Sequence, residues 1–255
     1  MPCRSLIVTL TSAATLLAPA LSQAQVTLEP DGRWRYLLTA GANVSSGNNV
    51  AGTLNLAAEG AQQTPYDKWT WVAKADHARN AGVATTDRYG LRTQYNRDIS
   101  PDWFGFGSGE TLRDKLANIA ARYSVASGVG RHLWREDGGF FDVSVGLGYS
   151  HDRFVAPTNI AGATRDKYGR VELVLAEESS HRLTDTTSLR QKFTLYPNLR
   201  DSGKYRAVLD TGLTVAMTPT INLSAGLSYR YDSDPGTHLE KGDAMFVTGV
   251  SLRFD

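Results

Sequence analysis

The chain has 255 residues, 41% of them hydrophobic, and a formal net charge of +1 at pH 7. This length suffices for one large domain or two small ones, and the dispersed basic residues do not suggest nucleic-acid binding. Since no internal run of about 18 apolar residues occurs, the sequence does not predict a helical membrane protein. A membrane β-barrel stays possible, because its strands alternate apolar and polar residues.

The first 24 residues have the features of a secretory signal peptide. Arg4 provides the positive charge, an apolar stretch follows from Leu6 to Pro19, and Ser22-Gln23-Ala24 fits the small-x-small cleavage rule. We therefore predict a signal peptide over 1–24 and a mature domain over 25–255, with an N-terminal core helix as the alternative. The single cysteine, Cys3, lies in the predicted signal, so the mature domain would contain no thiol or disulfide.

The clearest strand pattern lies at the C-terminus. Between Ile221 and Asp232, and again between Ala244 and Phe254, apolar residues alternate with polar or small ones. A period of two over this length predicts a strand with one apolar and one polar face. Phe254 is penultimate, and outer-membrane barrels close with a similar terminal aromatic strand, which their assembly machinery reads.

Comparable patterns recur roughly every 15 to 20 residues and predict an all-β protein of about twelve strands. An even strand number favours an antiparallel, up-and-down transmembrane β-barrel, with a soluble β-sandwich as the structural alternative. The fifth strand, near Trp103 to Arg113, is ambiguous, because Trp103 competes with Phe104 and Phe106 for the outer face.

The predicted connections are short after the even-numbered strands. The longer ones, His151 to Asp166, Pro197 to Lys204 and Ser233 to Asp243, all fall on the other side. A barrel with both termini in the periplasm has this asymmetry. The sequence therefore predicts a bacterial outer-membrane location.

Several short motifs resemble a single family. They are Trp34 to Asn49 with Ala40-Gly41-Ala42, Trp69-Thr70-Trp71, Trp103 to Asp114, Val145 to Tyr149, and His181 to Thr187. Together they resemble the uncharacterised salt-induced outer membrane protein family (YdiY-like) over nearly all of the mature chain. The resemblance implies an outer-membrane β-barrel and transfers no catalytic or binding residue.

Histidines offer little support for an enzyme. The five of them, His77, His132, His151, His181 and His238, are scattered over strand ends and loops. Ser150-His151 and Ser180-His181 are adjacent pairs, but neighbours on a strand point to opposite faces, so neither pair forms a catalytic dyad by itself. We predict no catalytic residue, and a barrel hydrolase acting on lipid or lipopolysaccharide remains the alternative function.

No cofactor or metal site is predicted either. The acidic residues Asp232, Asp234, Glu240 and Asp243 are of the type that binds calcium, but their spacing matches no calcium loop. Gly105 to Gly109 is glycine-rich but lacks the following helix of a phosphate loop. The expected partners are outer-membrane lipids and the barrel-assembly machinery, the latter through the C-terminal strand. The sequence gives no oligomeric state.

Charged residues occupy the polar faces of the predicted strands. The predicted lumen-lining set is Arg88, Arg92, Arg122, Arg190, Lys192, Arg206, Arg230, Arg253, Asp142, Glu172 and Asp210, with Lys74, Arg170, Glu59, Asp76 and Asp232 on the same side. Charges at membrane depth must pair or line water. Two hypotheses stay open for a non-enzymatic barrel: a structural or stress-related protein plugged by salt bridges, or a narrow small-solute channel whose basic excess favours anions.

Overall fold

The computed structural model describes residues 29–45, 51–136 and 138–254, and the predicted signal peptide lies outside them. In these ranges the chain forms one closed barrel of twelve antiparallel strands, in which β1 pairs with β12. The strands are β1 (Trp34–Ser45), β2 (Ala51–Gln63), β3 (Asp67–Asn80), β4 (Val83–Asp98), β5 (Trp103–Asp114), β6 (Ile119–Glu136), β7 (Gly139–Ile160), β8 (Ala163–Arg182), β9 (Thr187–Pro197), β10 (Tyr205–Ala216), β11 (Ile221–Asp232) and β12 (Gly242–Phe254). No helix in the described ranges is long and apolar enough to cross a membrane.

The prediction of a twelve-stranded up-and-down barrel is confirmed, but one predicted loop is wrong. Residues 151–166 are not a long connection, because β7 and β8 continue through them as a paired hairpin. The hairpin turns at Ala161 and Gly162, whose φ angles are 51° and 75°. Positive φ at both central residues is typical of a type I′ turn, which matches the twist of the flanking strands.

Apolar side chains cover the outer surface of the barrel. On β7, Val145, Leu147 and Tyr149 are exposed, and Phe246, Val250 and Leu252 are exposed on β12. The ambiguity in β5 is also removed, since Trp103 is 47% exposed and Phe104 only 3%. Trp103 therefore lies on the outer face and Phe104 faces the interior.

Aromatic residues frame this apolar surface at both ends. Near the start of β1, Trp34 packs against Trp69 with ring centroids 5.7 Å apart, and Trp69 meets Tyr95 edge-on at 6.5 Å. At the opposite end, Tyr205 stacks on Tyr231 at 5.4 Å. An apolar belt between two aromatic girdles around a polar interior is the architecture of an outer-membrane β-barrel.

The seam between β1 and β12 closes the barrel. Its register runs from Tyr36 opposite Phe254 to Ala40 opposite Val250. A Cβ on Gly41 would lie 2.1 Å from the carbonyl oxygen of Thr248, and one on Gly249 would lie 2.7 Å from that of Ala40. The two strands approach this closely only because both positions lack a side chain.

We therefore expect Gly249→Ala to weaken the seam by about 1–3 kcal/mol, as overpacking of a close contact does. The measurement is the temperature at which the compact, heat-modifiable band is lost on gels. Gly107→Ala is the matched control, since a Cβ there would have nothing within 4 Å. Equal melting temperatures for the two variants would contradict this account of closure.

Candidate functional site

The interior of the barrel contains most of the protein's buried charge. Alternation along each strand places one row of side chains outward and the next inward, and the inward rows are rich in arginine and carboxylate. Charges removed from water are costly unless they have partners of opposite sign. Two networks of paired side chains, which we call the arginine chain and the crossbar, contain many of these partners, and cavities lie beside them, one of which we call the vestibule.

The arginine chain joins Arg122, Asp152, Arg170, Glu172 and Arg206 along strands β6 to β10. Arg122 donates to both carboxylate oxygens of Asp152, at 2.5 and 2.8 Å. Arg170 then bridges Asp152 at 3.0 Å and Glu172 at 2.9 Å, and Arg206 donates to Glu172 at 2.7 Å. Both carboxylates are only 1% exposed, so this network is a fixed part of the wall.

A hydroxyl group completes the arginine chain. Ser150 donates to Glu172 at 2.6 Å and receives a hydrogen bond from Arg206 at 3.2 Å. Hydrogen bonds to several donors are what a buried carboxylate needs to remain charged. Ser150 therefore serves the ion network, and among the described residues no hydrogen bond joins it to His151.

Other inward arginines pair around β4. Arg88 donates to Asp114 at 2.6 Å and also to Asp243, which links β4 to β12. Arg92 donates to Glu110 at 3.0 Å and lies 4.0 Å from Asp210 on β10. The contacts with Asp114 and Glu110 join the neighbouring strands β4 and β5, whereas those with Asp243 and Asp210 connect strands that are not neighbours in the barrel.

The crossbar consists of Lys68, Gln94, Glu178 and Lys192. Glu178 accepts from Lys192 at 2.9 Å and lies 3.5 Å from the Lys68 ammonium on β3. Lys192 also donates to Gln94 on β4 at 2.8 Å. Since β3 and β4 are not adjacent to β8 and β9, these contacts cross the interior of the barrel. Arg190 adds a further bond to Glu178 at 2.5 Å.

Three cavities adjoin the crossbar: two larger ones, and one of about 60 Å³ whose wall includes Gln94, Glu178 and Lys192. The first, which we call the central cavity, has a volume of about 170 Å³ and contains Gln94 and Lys192 in its wall. Its lining includes six basic and four acidic residues: Lys74, Arg88, Arg92, Arg190, Lys192 and Arg230, with Glu59, Asp76, Glu110 and Asp210. The second, the vestibule, has a volume of about 740 Å³ and includes Lys68 and Arg253 in its lining. The crossbar therefore lies between the two.

The vestibule opens at the end of the barrel where β1 begins. Its wall holds His132, whose Nδ1 lies 2.7 Å from Asp142 Oδ1 and whose ring stacks on Phe104 at 4.7 Å. Asp31, just before β1, accepts from Arg35 at 2.9 Å. The Arg35 guanidinium and the backbone N–H of Arg33 hold the pKa of Asp31 at about 2, so it carries a negative charge at neutral pH.

The structure pairs most of the residues predicted to line the lumen. Arg88, Arg92, Arg122, Arg190, Lys192, Arg206, Glu172 and Asp210 each have an opposite charge within 4 Å. Asp142 lies 2.7 Å from the His132 ring. Arg230 lines the central cavity, and Arg253 lines the vestibule.

Sequence reasoning missed several of the partners. Lys68, Glu110 and Glu178 lie on inward rows that strand alternation alone could have identified. Asp152 was missed because its segment was predicted as a loop. With these acids included, the interior has a smaller basic excess than the sequence suggested.

Histidines do not pair with serines in the described ranges. His132 contacts Asp98, Asp142 and Arg135, and the His181 ring stacks on Trp134 at 5.5 Å. Within the same ranges, no group of three or more acidic, histidine or cysteine side chains is placed to hold a metal ion. Asp234 and Asp243, from the acidic loop, instead contact the Ala161 N–H and Arg88.

Residues 38–254 match the model of a family described as "Protein of unknown function, DUF481". The chain belongs to this family. No curated protein is a significant match. Among solved structures, the chain is similar to the NanC porin (TM-score 0.44, 13% identity, covering 85% of this chain and 96% of the other). It is also similar to the translocator domain of the autotransporter NalP from Neisseria meningitidis (TM-score 0.45, 16% identity, covering 88% of this chain and 88% of the other). A third similar structure is an anion-selective porin from Comamonas acidovorans (TM-score 0.38, 7% identity, covering 87% of this chain and 99% of the other).

We expect Glu172→Gln to destabilise the barrel by about 3–5 kcal/mol, since it removes the counter-charge of the buried Arg206 and leaves Arg170 with Asp152 alone. Urea unfolding followed by tryptophan fluorescence in detergent would measure this. Asp166→Asn is the control, because Asp166 is an exposed carboxylate on the same strand. A loss below about 1 kcal/mol would show that the arginine chain tolerates removal of this charge.

Proposed function

We propose that this protein is a non-enzymatic barrel of the bacterial outer membrane, with both termini in the periplasm. The apolar belt and its aromatic girdles support contact with lipid acyl chains. The alternating, aromatic-ended β12 supports recognition of the C-terminal strand by the barrel-assembly machinery. On this proposal the vestibule faces the periplasm.

We further propose that the barrel is a narrow channel for small solutes, with a preference for anions. The observation that carries this is the central cavity, which is lined by strand residues and has six basic against four acidic side chains. Rings of charged side chains select ions of opposite sign. A twelve-stranded barrel lies between those filled by side chains and those with a wide aqueous channel, so a narrow path suits its size.

The crossbar would set the conductance of such a channel. It separates the central cavity from the vestibule through contacts between long, flexible side chains. Side chains rearrange on much shorter timescales than strands, so they can open a path without unfolding the wall. The crossbar also contains two lysines, and their positive charge is consistent with passage of anions.

The membrane proposal predicts that the protein stays in the membrane fraction after a carbonate or urea wash and is released by detergent. The released protein should run as a compact band that shifts on boiling, as a stable barrel does. Mass spectrometry of the same band should give an N-terminus at residue 25. Full extraction in folded form by aqueous buffer would refute the membrane location.

The channel proposal predicts reproducible small openings in a planar bilayer, with anions more permeant than cations. The double variant Lys68→Ala/Gln94→Ala removes the crossbar side chains of β3 and β4. It should raise the conductance by roughly twofold or more, because the constriction in the lumen is widened. Neither change leaves Glu178 unpaired, since Arg190 and Lys192 remain.

Lys167→Ala, on the exposed part of the β7–β8 hairpin, is the matched control and should not change the conductance. If cations were more permeant than anions, the proposed preference of the channel for anions would be refuted. Silence from both folded proteins would refute the channel. It would favour instead the structural or stress-related role of a barrel plugged by salt bridges.

A further inference from the structure

Four charged side chains in the central cavity lack the close partners that other inward charges have. In the described ranges, Lys74, Glu59 and Arg230 have no ion pair within 4 Å, and Asp210 reaches only Arg92, at that limit. Among the residues that the structure describes, Oδ1 of Asp210 and Nε of Arg230 have no hydrogen-bond partner. The cavity therefore holds two cations and two carboxylates that the protein leaves incompletely satisfied.

The register of the strands places these charges as diagonal neighbours on two parts of the wall. Glu59 lies opposite Val72 and is thus the diagonal neighbour of Lys74, two residues further along β3. On the other wall, Asp210 lies opposite Ser228 and is the diagonal neighbour of Arg230. Diagonal neighbours, about 7–8 Å apart, are within reach of long side chains, and the diagonal pair Arg190 and Glu178 does bond at 2.5 Å. In the described ranges, however, neither Lys74 and Glu59 nor Arg230 and Asp210 come within 4 Å of each other. Each wall therefore presents one cation and one carboxylate that are not paired with each other.

Charges of both signs in one small cavity are best satisfied by a ligand that carries both. A simple anion would leave the negative charges of Glu59 and Asp210 uncompensated. A simple cation would leave the positive charges of Lys74 and Arg230 uncompensated. The volume of about 170 Å³ exceeds the roughly 150 Å³ of an engineered cavity that holds benzene. Val72, Leu112 and Met245 line the same cavity and offer apolar contacts.

We propose that the central cavity binds a small aliphatic amino acid in its zwitterionic form. Its carboxylate would lie near Lys74 and Arg230, its ammonium near Glu59 and Asp210, and its side chain against the apolar residues. This inference deepens the proposed channel function by naming the class of solute, and its binding test does not depend on conductance.

Isothermal titration calorimetry on the folded protein in detergent tests the proposal with three probes of matched shape. Valine carries both charges, isovalerate lacks the ammonium, and isobutylamine lacks the carboxylate. We expect saturable binding of valine, and affinities at least about tenfold lower for the other two, since each leaves a pair of charges unsatisfied. Tryptophan, which is too large for the cavity, should not bind.

Lys74→Gln and Glu59→Gln should each weaken valine binding by about tenfold or more, whereas the surface variant Lys167→Gln should not. The heat-modifiable band shows whether each variant is folded. Equal affinities for valine and isovalerate would overturn the proposal in favour of a simple anion site. Absence of valine binding to a conducting protein would refute the site alone, and binding to a silent one would refute the channel alone.

Discussion

Pairing of charges inside a narrow barrel is the constraint on which the rest of this structure depends. The inward rows of twelve strands bring arginines, lysines and carboxylates into the barrel interior, where many of them are buried. Burial of a charge costs several kcal/mol unless an opposite charge and good hydrogen bonds offset it. The chain meets this constraint in two ways: with continuous networks along the wall, such as the arginine chain, and with contacts that cross the interior, such as the crossbar.

These two solutions have different mechanical consequences. The arginine chain ties strands β6, β7, β8 and β10 together through nearly inaccessible carboxylates, and it continues into the region where the β7–β8 hairpin extends beyond its pairing with β6. The crossbar joins opposite walls through lysine and glutamine side chains, which have many rotamers. The first arrangement makes the wall rigid, and the second closes the interior with groups that can move. A rigid wall around a movable constriction is the physical basis of the channel that we propose.

Much of the fold followed from alternation, and the exceptions have identifiable causes. Where polar and apolar residues alternated cleanly, as in Ile221–Asp232, the strand and its faces were predicted. In β5, large aromatic residues occupy consecutive positions, and only the packing of Phe104 against His132 decides which one faces inward. The β7–β8 hairpin was missed because its turn, Ala161-Gly162, lacks the asparagine or aspartate typical of a type I′ turn.

The candidate site was predictable in composition but not in connectivity. The local stereochemistry of a strand sets which side of the sheet each residue occupies, so the sequence by itself determined that Arg92, Lys192 and Asp210 share a face. It could not determine that Lys68 meets Glu178, because that contact depends on barrel closure and on the stagger of strands far apart in the chain. Within the described part of the chain, the same closure left Lys74, Glu59 and Arg230 without an ion pair inside 4 Å. Tertiary structure alone decided these distances, since they are properties of the closed barrel rather than of any strand within it.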